Sequence, residues 1–301
     1  MRIGLHVPVF TWPGGPDALA DHLTNVARAA EAAGFGQITV MDHYFALAPD
    51  EGYRQPMLEA YTALGFIAGV TSKIRLGCQI TGVTYRYPGI LIKTIATLNV
   101  LSKGRGFLGI GAAWFEKEHH AFGVPFPPLK ERFERLEEVL QMAHQAFNGD
   151  ASSFAGKYYK AEELLLSPMP VSKPRPMIQV GGSGERKTLR MVAQYGDACH
   201  INAPDPPALR HKLQVLREHC DKLGRNYDEI EKIGGARPNI AADGSNIDDV
   251  VRVIEGLGEA GLEMVTMALP EVHNLKLIEL FGEKIIPRVA AINARTAAAT
   301  R

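Results

Sequence analysis

Several short stretches of this chain put reactive side chains or bare backbone where a ligand could meet them. In "VMDHYF", Asp42 and His43 stand side by side after an apolar run, a carboxylate and an imidazole that can hydrogen-bond a heterocycle or move a proton near neutral pH. In "PMIQVGGSGERKTL", a β-branched run breaks at Gly181, Gly182, Ser183 and Gly184 and passes at Glu185 into a charged helix start. Glycines at a strand end let something approach the backbone, and a new helix presents unpaired amides, so this turn can cradle a phosphate. The same residues also make an ordinary strand-to-helix connection. As a dinucleotide fingerprint the stretch falls short, because Lys187 stands where the third glycine belongs.

In "GIGAAWFEKEHHAFG", Glu116, Glu118, His119 and His120 look at first like metal ligands. Adjacent histidines point in different directions, so the spacing does not suit a helical two-histidine zinc site, and no metal is expected. Trp114 offers a flat wall over an aromatic ligand. In "QITGVTYRYPG", Thr81, Gly82 and Val83 set a glycine inside a β-branched run, which suggests a bulge, a place where something flat meets the backbone, or merely the strand's end. Arg86 beyond it suits an anionic tail or a solvated loop equally. No nucleophile elbow, P-loop or Ser-His-Asp arrangement is evident, which points to chemistry supplied by a cofactor.

The elements that must position these residues alternate. A strand at Arg2–Val7 leads to a helix from Asp17 ended by Gly34, with Leu19, Leu23, Val26, Ala27 and Ala30 on one face. "QITVMDH" is a second strand, followed by an apolar helix over 56–69. A third strand over 73–79 precedes a helix over 89–101, and "GFLGIG" is a fourth strand whose loop runs to Pro128. Leu129, Phe133, Leu136, Leu140, Ala143 and Phe147 then mark an amphipathic helix stopped by Gly149. Prolines and aromatics around 150–176 break the rhythm as an inserted hairpin and linker. Strands at 177–181, "DACHI", 231–240 and "EMVTMAL" follow, with helices from Glu185, over 207–223, from Asp248 and from Asn274, and "ARTAAATR" reads as a frayed tail. Eight strand-helix units of mostly buried strands predict an α/β fold, a single (β/α)8 TIM barrel, since closure pairs every strand edge. One domain over 1–301 is expected. Barrels of this kind carry their active sites at the carboxyl ends of the strands, which gathers the stretches above around one mouth.

Composition narrows the classes. With 301 residues, 46% of them apolar, the chain can bury a large core. Lys plus Arg equals Asp plus Glu at 33 each, without a dense run of either sign, so no nucleic-acid partner is expected. No apolar run approaches a membrane span, and Arg2, His6 and Pro8 interrupt the start where a signal peptide needs a clean apolar stretch. A cytoplasmic protein with no membrane partner is expected. Cys78, Cys199 and Cys220 are odd in number and far apart, which reads as buried thiols.

The segments "GLHVPVFTWPGG", "VMDHYF", "LGCQITGVTYRYPG", "LSKGRGFLGIGAAWFEKEHHAFGVPFPPLKERFERLEE" and "VGGSGERKTLRMVAQYGDAC" resemble the bacterial luciferase-like superfamily. More closely, they resemble its subgroup dependent on the deazaflavin coenzyme F(420). The similarity runs from the first strand to about Asn202; beyond that only the pattern matches. The resemblance implies a barrel with an insertion, and a flavin-type ring lying across the strand ends over Asp42, Thr81, Gly82, Val83, Gly111, Ala112 and Trp114. It implies a non-prolyl cis peptide in the third-strand bulge, assigned to Gly82–Val83, and a phosphate cradled by Gly181, Gly182, Ser183, Gly184 and Glu185. Some sugar-phosphate dehydrogenases of the superfamily carry a Glu after the fourth strand's glycines. This chain has Ala112 there, so their substrate is not carried over, and Glu118 or His43 is left to supply the acid. The implied activity is hydride transfer between F(420) and a small-molecule substrate. A monooxygenase using flavin mononucleotide (FMN) and a non-catalytic cofactor-binding protein are the alternatives, and a homodimer is left open. Arg186, Lys187 and Arg86 are the basic groups available to the deazaflavin's anionic tail.

Overall fold

The computed structural model describes residues 1–47, 50–203, 205–241, 243–290 and 292; the tail expected to fray lies outside them. The strands are β1 (Arg2–Val7), β2 (Gln37–Val40), β3 (Arg75–Cys78), β4 (Thr81–Gly82), β5 (Gly106–Gly111), β6 (Phe154–Ala155), β7 (Lys160–Ala161), β8 (Ile178–Gly181), β9 (Ala198–Ile201), β10 (Glu231–Ala236) and β11 (Met264–Met267). β6 and β7 form a separate antiparallel hairpin. The others pair in parallel in the order β3-β2-β1-β11-β10-β9-β8-β5-β4, and β3 also pairs with β5, which closes a barrel. Because β3 and β4 are one strand interrupted at Gln79 and Ile80, the nine pieces make eight strand positions, the (β/α)8 fold that the alternation predicts.

The α-helices are α1 (Leu19–Ala33), α2 (Ala60–Val70), α3 (Pro88–Leu101), α4 (Glu116–Ala121), α5 (Leu129–Phe147), α6 (Thr188–Tyr195), α7 (Pro206–Leu223), α8 (Ile247–Glu259), α9 (Lys276–Leu280) and α10 (Ile286–Ala290). α1 buries the five apolar residues read from its pattern and ends at Gly34, whose φ of 88° suits glycine. α5 buries Leu136, Leu140, Ala143 and Phe147, while Leu129 at its start is 55% exposed. Several boundaries differ from the sequence reading: α2 starts at Ala60 rather than 56, β10 ends at Ala236 rather than 240, α4 lies inside the supposed loop to Pro128, and α6 starts at Thr188, after Glu185 has turned its carboxylate outward to Lys212 and His211. In the segment around 150–176, the Glu138 carboxylate of α5 accepts the amides of Lys157 at 2.7 Å and Tyr159 at 2.9 Å, which fixes the inserted hairpin against the barrel.

Period-two alternation fills the barrel interior in layers. At the amino end, Arg75 donates to both Glu231 oxygens at 2.8 and 3.0 Å, and Arg2 pairs with the same carboxylate. In the middle the Phe107 ring takes the space left by Gly77, where a Cβ would lie 2.7 Å from the ring. Toward the carboxyl end the interior turns polar. His6 Nδ1 bonds Thr39 Oγ1 at 2.9 Å, and both His200 Nε2 and Gln79 Nε2 reach Thr266 Oγ1 at 3.1 Å. Burial pushes His200 down to about 4. Burial and the nearby His200 and Arg237 push His6 down to about 3, so both imidazoles are neutral near pH 7. This polar layer forms the floor under the mouth.

Candidate active site

β2 ends at Val40, and the chain then turns across the mouth through Asp42 and His43. What holds that turn comes from α4. Glu118 is fully buried, and its Oε1 accepts the amides of Tyr44 at 2.9 Å and Phe45 at 2.7 Å. Its Oε2 meets His43 Nδ1 at 2.9 Å and accepts the Tyr85 hydroxyl at 2.6 Å. Burial works to raise its pKa, but the hydrogen bonds from His43, Tyr85 and the Phe45 amide prevail and hold it below the usual carboxylate value. Glu118 is therefore ionised and saturated. It has no proton to give and no surface to meet a substrate, which corrects its assignment as a candidate acid: it orients His43. Nδ1 of His43 is engaged, and Nε2 has no protein partner among the described residues. The ring lies edge-on to Trp114 at 5.5 Å and to Phe115 at 5.8 Å between centroids. Trp114 itself is 64% exposed at the rim.

Asp42 is buried beside this dyad. Its Oδ2 accepts the Gly82 amide at 3.1 Å and Arg86 Nη1 at 2.7 Å, while Oδ1 is buried without a partner among the described residues. Burial raises its pKa by more than Arg86 and the Gly82 amide lower it. Arg86 also pairs with Glu59 and lies over the Tyr61 ring, 4.7 Å from its centroid. An arginine spent on two carboxylates is not free for an anionic tail, so Arg86 leaves the list of tail-binding candidates.

The third strand departs from expectation in its details. The non-prolyl cis peptide is Gln79–Ile80, and Gly82–Val83 is not cis. Thr81, Gly82 and Val83 lie buried below the mouth: Tyr61 Oη and Thr81 Oγ1 are 2.5 Å apart, and the flat group over Gly82 is the protein's own Tyr85 ring. The residue that reaches the site is Ile80, whose side chain covers the bare backbones of Gly111 and Gly181. A Cβ at Gly181 would lie 2.5 Å from Ile80 Cγ1, and one at Gly111 3.1 Å from its Cγ2. Neighbouring Gln79 keeps a buried Oε1 without a partner among the described residues. Ala112 lies half-buried beside Gly111.

In the turn after β8, Gly182 has φ +124°, a conformation open to glycine, and its amide donates to the His200 carbonyl at 3.0 Å. Ser183 Oγ bonds the Asn202 backbone in both directions, at 2.8 and 3.1 Å, which locks the turn to β9. The amides of Gly184, Glu185, Arg186 and Lys187 have no partner among the described residues and precede α6, the arrangement a phosphate needs. Glu185 can contribute only its backbone there, since Lys212 and His211 hold its side chain.

The supposed metal ligands are dispersed. Glu118 serves His43, buried His119 bonds Thr84 Oγ1 at 2.6 Å and the Phe115 carbonyl at 2.8 Å, and Glu116 and His120 are solvent-exposed. The sequence reading missed Gln79, Ile80 and Tyr85, whose part here depends on the break in the third strand and on the bond to Glu118, neither of which a local pattern marks.

Residues 1–256 match the family described as luciferase-like monooxygenase. An F(420)-dependent glucose-6-phosphate dehydrogenase of Nakamurella multipartita is 32% identical over 222 residues, 73% of this chain and 62% of that protein. An F(420)-dependent hydroxymycolic acid dehydrogenase of Mycobacterium tuberculosis is 31% identical over 186 residues, 62% of this chain and 50% of the relative. This chain thus spans between a half and two thirds of the length of these curated relatives. Among solved structures, the coenzyme F(420)-dependent tetrahydromethanopterin reductase of Methanopyrus kandleri superposes with a TM-score of 0.77 at 20% identity, covering 95% of this chain and 99% of that one. At that identity the likeness shows a shared barrel fold.

Proposed function

The chain belongs to the luciferase-like monooxygenase family, and from that premise we propose that it is a deazaflavin (coenzyme F(420))-dependent oxidoreductase acting on a small organic substrate. The observation that carries this reading is His43, held at Nδ1 by an ionised Glu118 and left with Nε2 unpaired among the described residues, beside the Trp114 and Phe115 rings. The residues fit the cofactor. Ile80 over the glycine backbones makes a flat apolar wall, unpartnered Gln79 Oε1 and Asp42 Oδ1 suit a polar ring edge, and the amides ahead of α6 suit a phosphate. F(420), when bound, supplies a ring that carries hydride. The protein's part is to hold that ring against Ile80, to screen it with Trp114, and to hold a proton at His43 Nε2 while Glu118 stabilises the imidazolium. Glucose 6-phosphate, named for the relatives, is not assigned here, since Ala112 brings only a methyl group to the place after the β5 glycines.

Three features of the setting belong to the same proposal. A single domain accounts for the chain as one barrel. The cytoplasm suits three free buried thiols, and no described helix is long and apolar enough to cross a membrane. A homodimer suits the outer faces of α2 and α3, which expose Phe66, Ile90 and Leu101, and sedimentation equilibrium reads it directly. The function is tested by loading the protein with F(420) and screening small alcohols and aldehydes for a change in the cofactor's visible absorbance. A loaded protein that reacts only with oxygen would replace the oxidoreductase reading with the monooxygenase one.

A further inference from the structure

The carboxyl end of β10 holds a charge that the site described above does not use. Along that strand Glu231 reaches Arg75 inside the barrel, and Ile233 packs with Ala198 and Met264 in the interior. Gly235 follows them inward, since a Cβ there would lie 2.6 Å from Asn202 Oδ1 and 3.7 Å from His200 Cε1. Arg237 is next in the alternation, one residue past the strand at the level of the mouth. It is exposed and has no hydrogen bond or ion pair among the described residues, and its charge contributes to keeping His6 neutral. The Asn202 side chain also has no partner among the described residues, where that residue bonds Ser183 through its backbone alone.

The surroundings make this side of the mouth positive. The inward positions at the ends of β9, β10, β11 and β1 are Asn202, Arg237, Ala268 and His6: one cation, no carboxylate, and an imidazole that stays neutral. The carboxylates Asp42 and Glu118 belong to the opposite side, and β2 stands three strands from β10 around a barrel of eight. The Asn202 amide beside the bare backbone of Gly235 and an arginine two residues further along the same chain suit a planar or tetrahedral anion, which an arginine fork can hold through two hydrogen bonds.

We propose that the substrate carries an anionic group, a carboxylate or a phosphate, bound by the Arg237 guanidinium and the Asn202 side chain, with its reacting carbon toward His43. This rests on the mouth being the substrate site of an F(420) enzyme. The charge at Arg237 then selects substrates by their tail while the dyad acts at the other end, and neutral analogues bind more weakly.

The test uses the whole chain, with and without F(420), titrated at constant ionic strength with inorganic phosphate and separately with acetate. Tryptophan fluorescence reports binding, because Trp114 lies at the rim. The expected result is saturable binding of at least one anion to the F(420)-loaded protein. Arg237→Gln should weaken it about tenfold or more, and Arg237→Lys less, as a charge-assisted hydrogen bond implies. In both variants F(420) affinity should stay within about threefold of wild type. The proposal is overturned if neither anion saturates, or if Arg237→Gln leaves anion affinity unchanged. It is also overturned if F(420) affinity falls together with anion affinity, which would assign Arg237 to the cofactor's own anion. Failure of the cofactor reading looks different: wild-type protein would not bind F(420), while Arg237-dependent anion binding persisted.

Discussion

Glu118→Gln separates the orientation of His43 from every other feature of the site, because the two side chains have nearly the same shape and differ in charge and in one set of hydrogens. In the wild type the four donors are His43 Nδ1, the amides of Tyr44 and Phe45, and the Tyr85 hydroxyl. The amide oxygen of Gln can keep the two backbone donors. Its NH2 group then faces Tyr85 and His43, so Tyr85 must turn its hydroxyl and His43 must accept at Nδ1, which moves its proton to Nε2. Two charge-assisted bonds are lost, each worth about 1.5–3 kcal/mol, and partial replacement by neutral ones leaves a stability cost of about 2–4 kcal/mol at neutral pH. The sign of the pH dependence is fixed as well. Glu118 has a depressed pKa, so its contribution is fully present above the ordinary Glu value and is lost as pH falls through the lower folded value. Urea unfolding from pH 7 down to pH 3 should therefore show a steeper acid loss in the wild type than in Glu118→Gln. Turnover should fall by about 10²-fold or more, within the range of a general acid–base group, because the tautomer is wrong and the imidazolium has lost its counter-charge. F(420) affinity should not follow, since Glu118 is fully buried beneath His43. Turnover within threefold of wild type, in a variant shown to be folded, would refute the claim that Glu118 acts through His43.

The remaining predictions concern the other walls of the site. His43→Ala should lower turnover about 10²- to 10⁴-fold with F(420) affinity nearly unchanged; a loss below tenfold on a good substrate would assign the ring to packing. Gly182→Val puts a β-branched residue at φ +124° and should weaken F(420) binding in equilibrium titration while the circular dichroism spectrum stays native; unchanged affinity would remove the phosphate from this turn. Gly181→Ala should destabilise by about 1–3 kcal/mol through its clash with Ile80, and Ile80→Ala in the same chain should return part of that loss. Additive double-mutant stabilities would mean that the two residues do not share the wall.

Much of this site was legible in the chain and some of it could not have been. β1 and β5 are uninterrupted short runs between clear breakers, and their limits match the sequence reading. α1 and α5 carry strong one-sided apolar patterns and were equally plain. His43 and the turn after β8 were singled out because strand ends in a barrel converge, a rule of topology that needs no distances. What failed depended on contacts between distant residues. Glu118 looks like an acid in sequence, and only its bonds to residues more than 70 positions away make it an anchor. Arg86 looks free until Asp42 and Glu59 close on it. The third strand misled for a different reason: the β-branched run Thr81–Thr84 drew attention to Gly82, while the break came at Gln79 and Ile80, where the side chains give no local sign of it. Six-residue α4 was too short for a periodic pattern to show.

The central claim, that the mouth is built for F(420), rests on residues that an FMN ring and phosphate could also use, so the two cofactors have to be compared directly. Past the phosphate turn, Arg186 and Lys187 are exposed, neither is in an ion pair among the described residues, and they are the groups left to meet a longer anionic tail. The decisive measurement is equilibrium titration of the purified chain with F(420) and with FMN at low salt, repeated at higher salt. The account predicts tighter binding of F(420) and a preference that shrinks as salt screens the tail. FMN binding at least as tightly at low salt, or copurifying in stoichiometric amount, would contradict it.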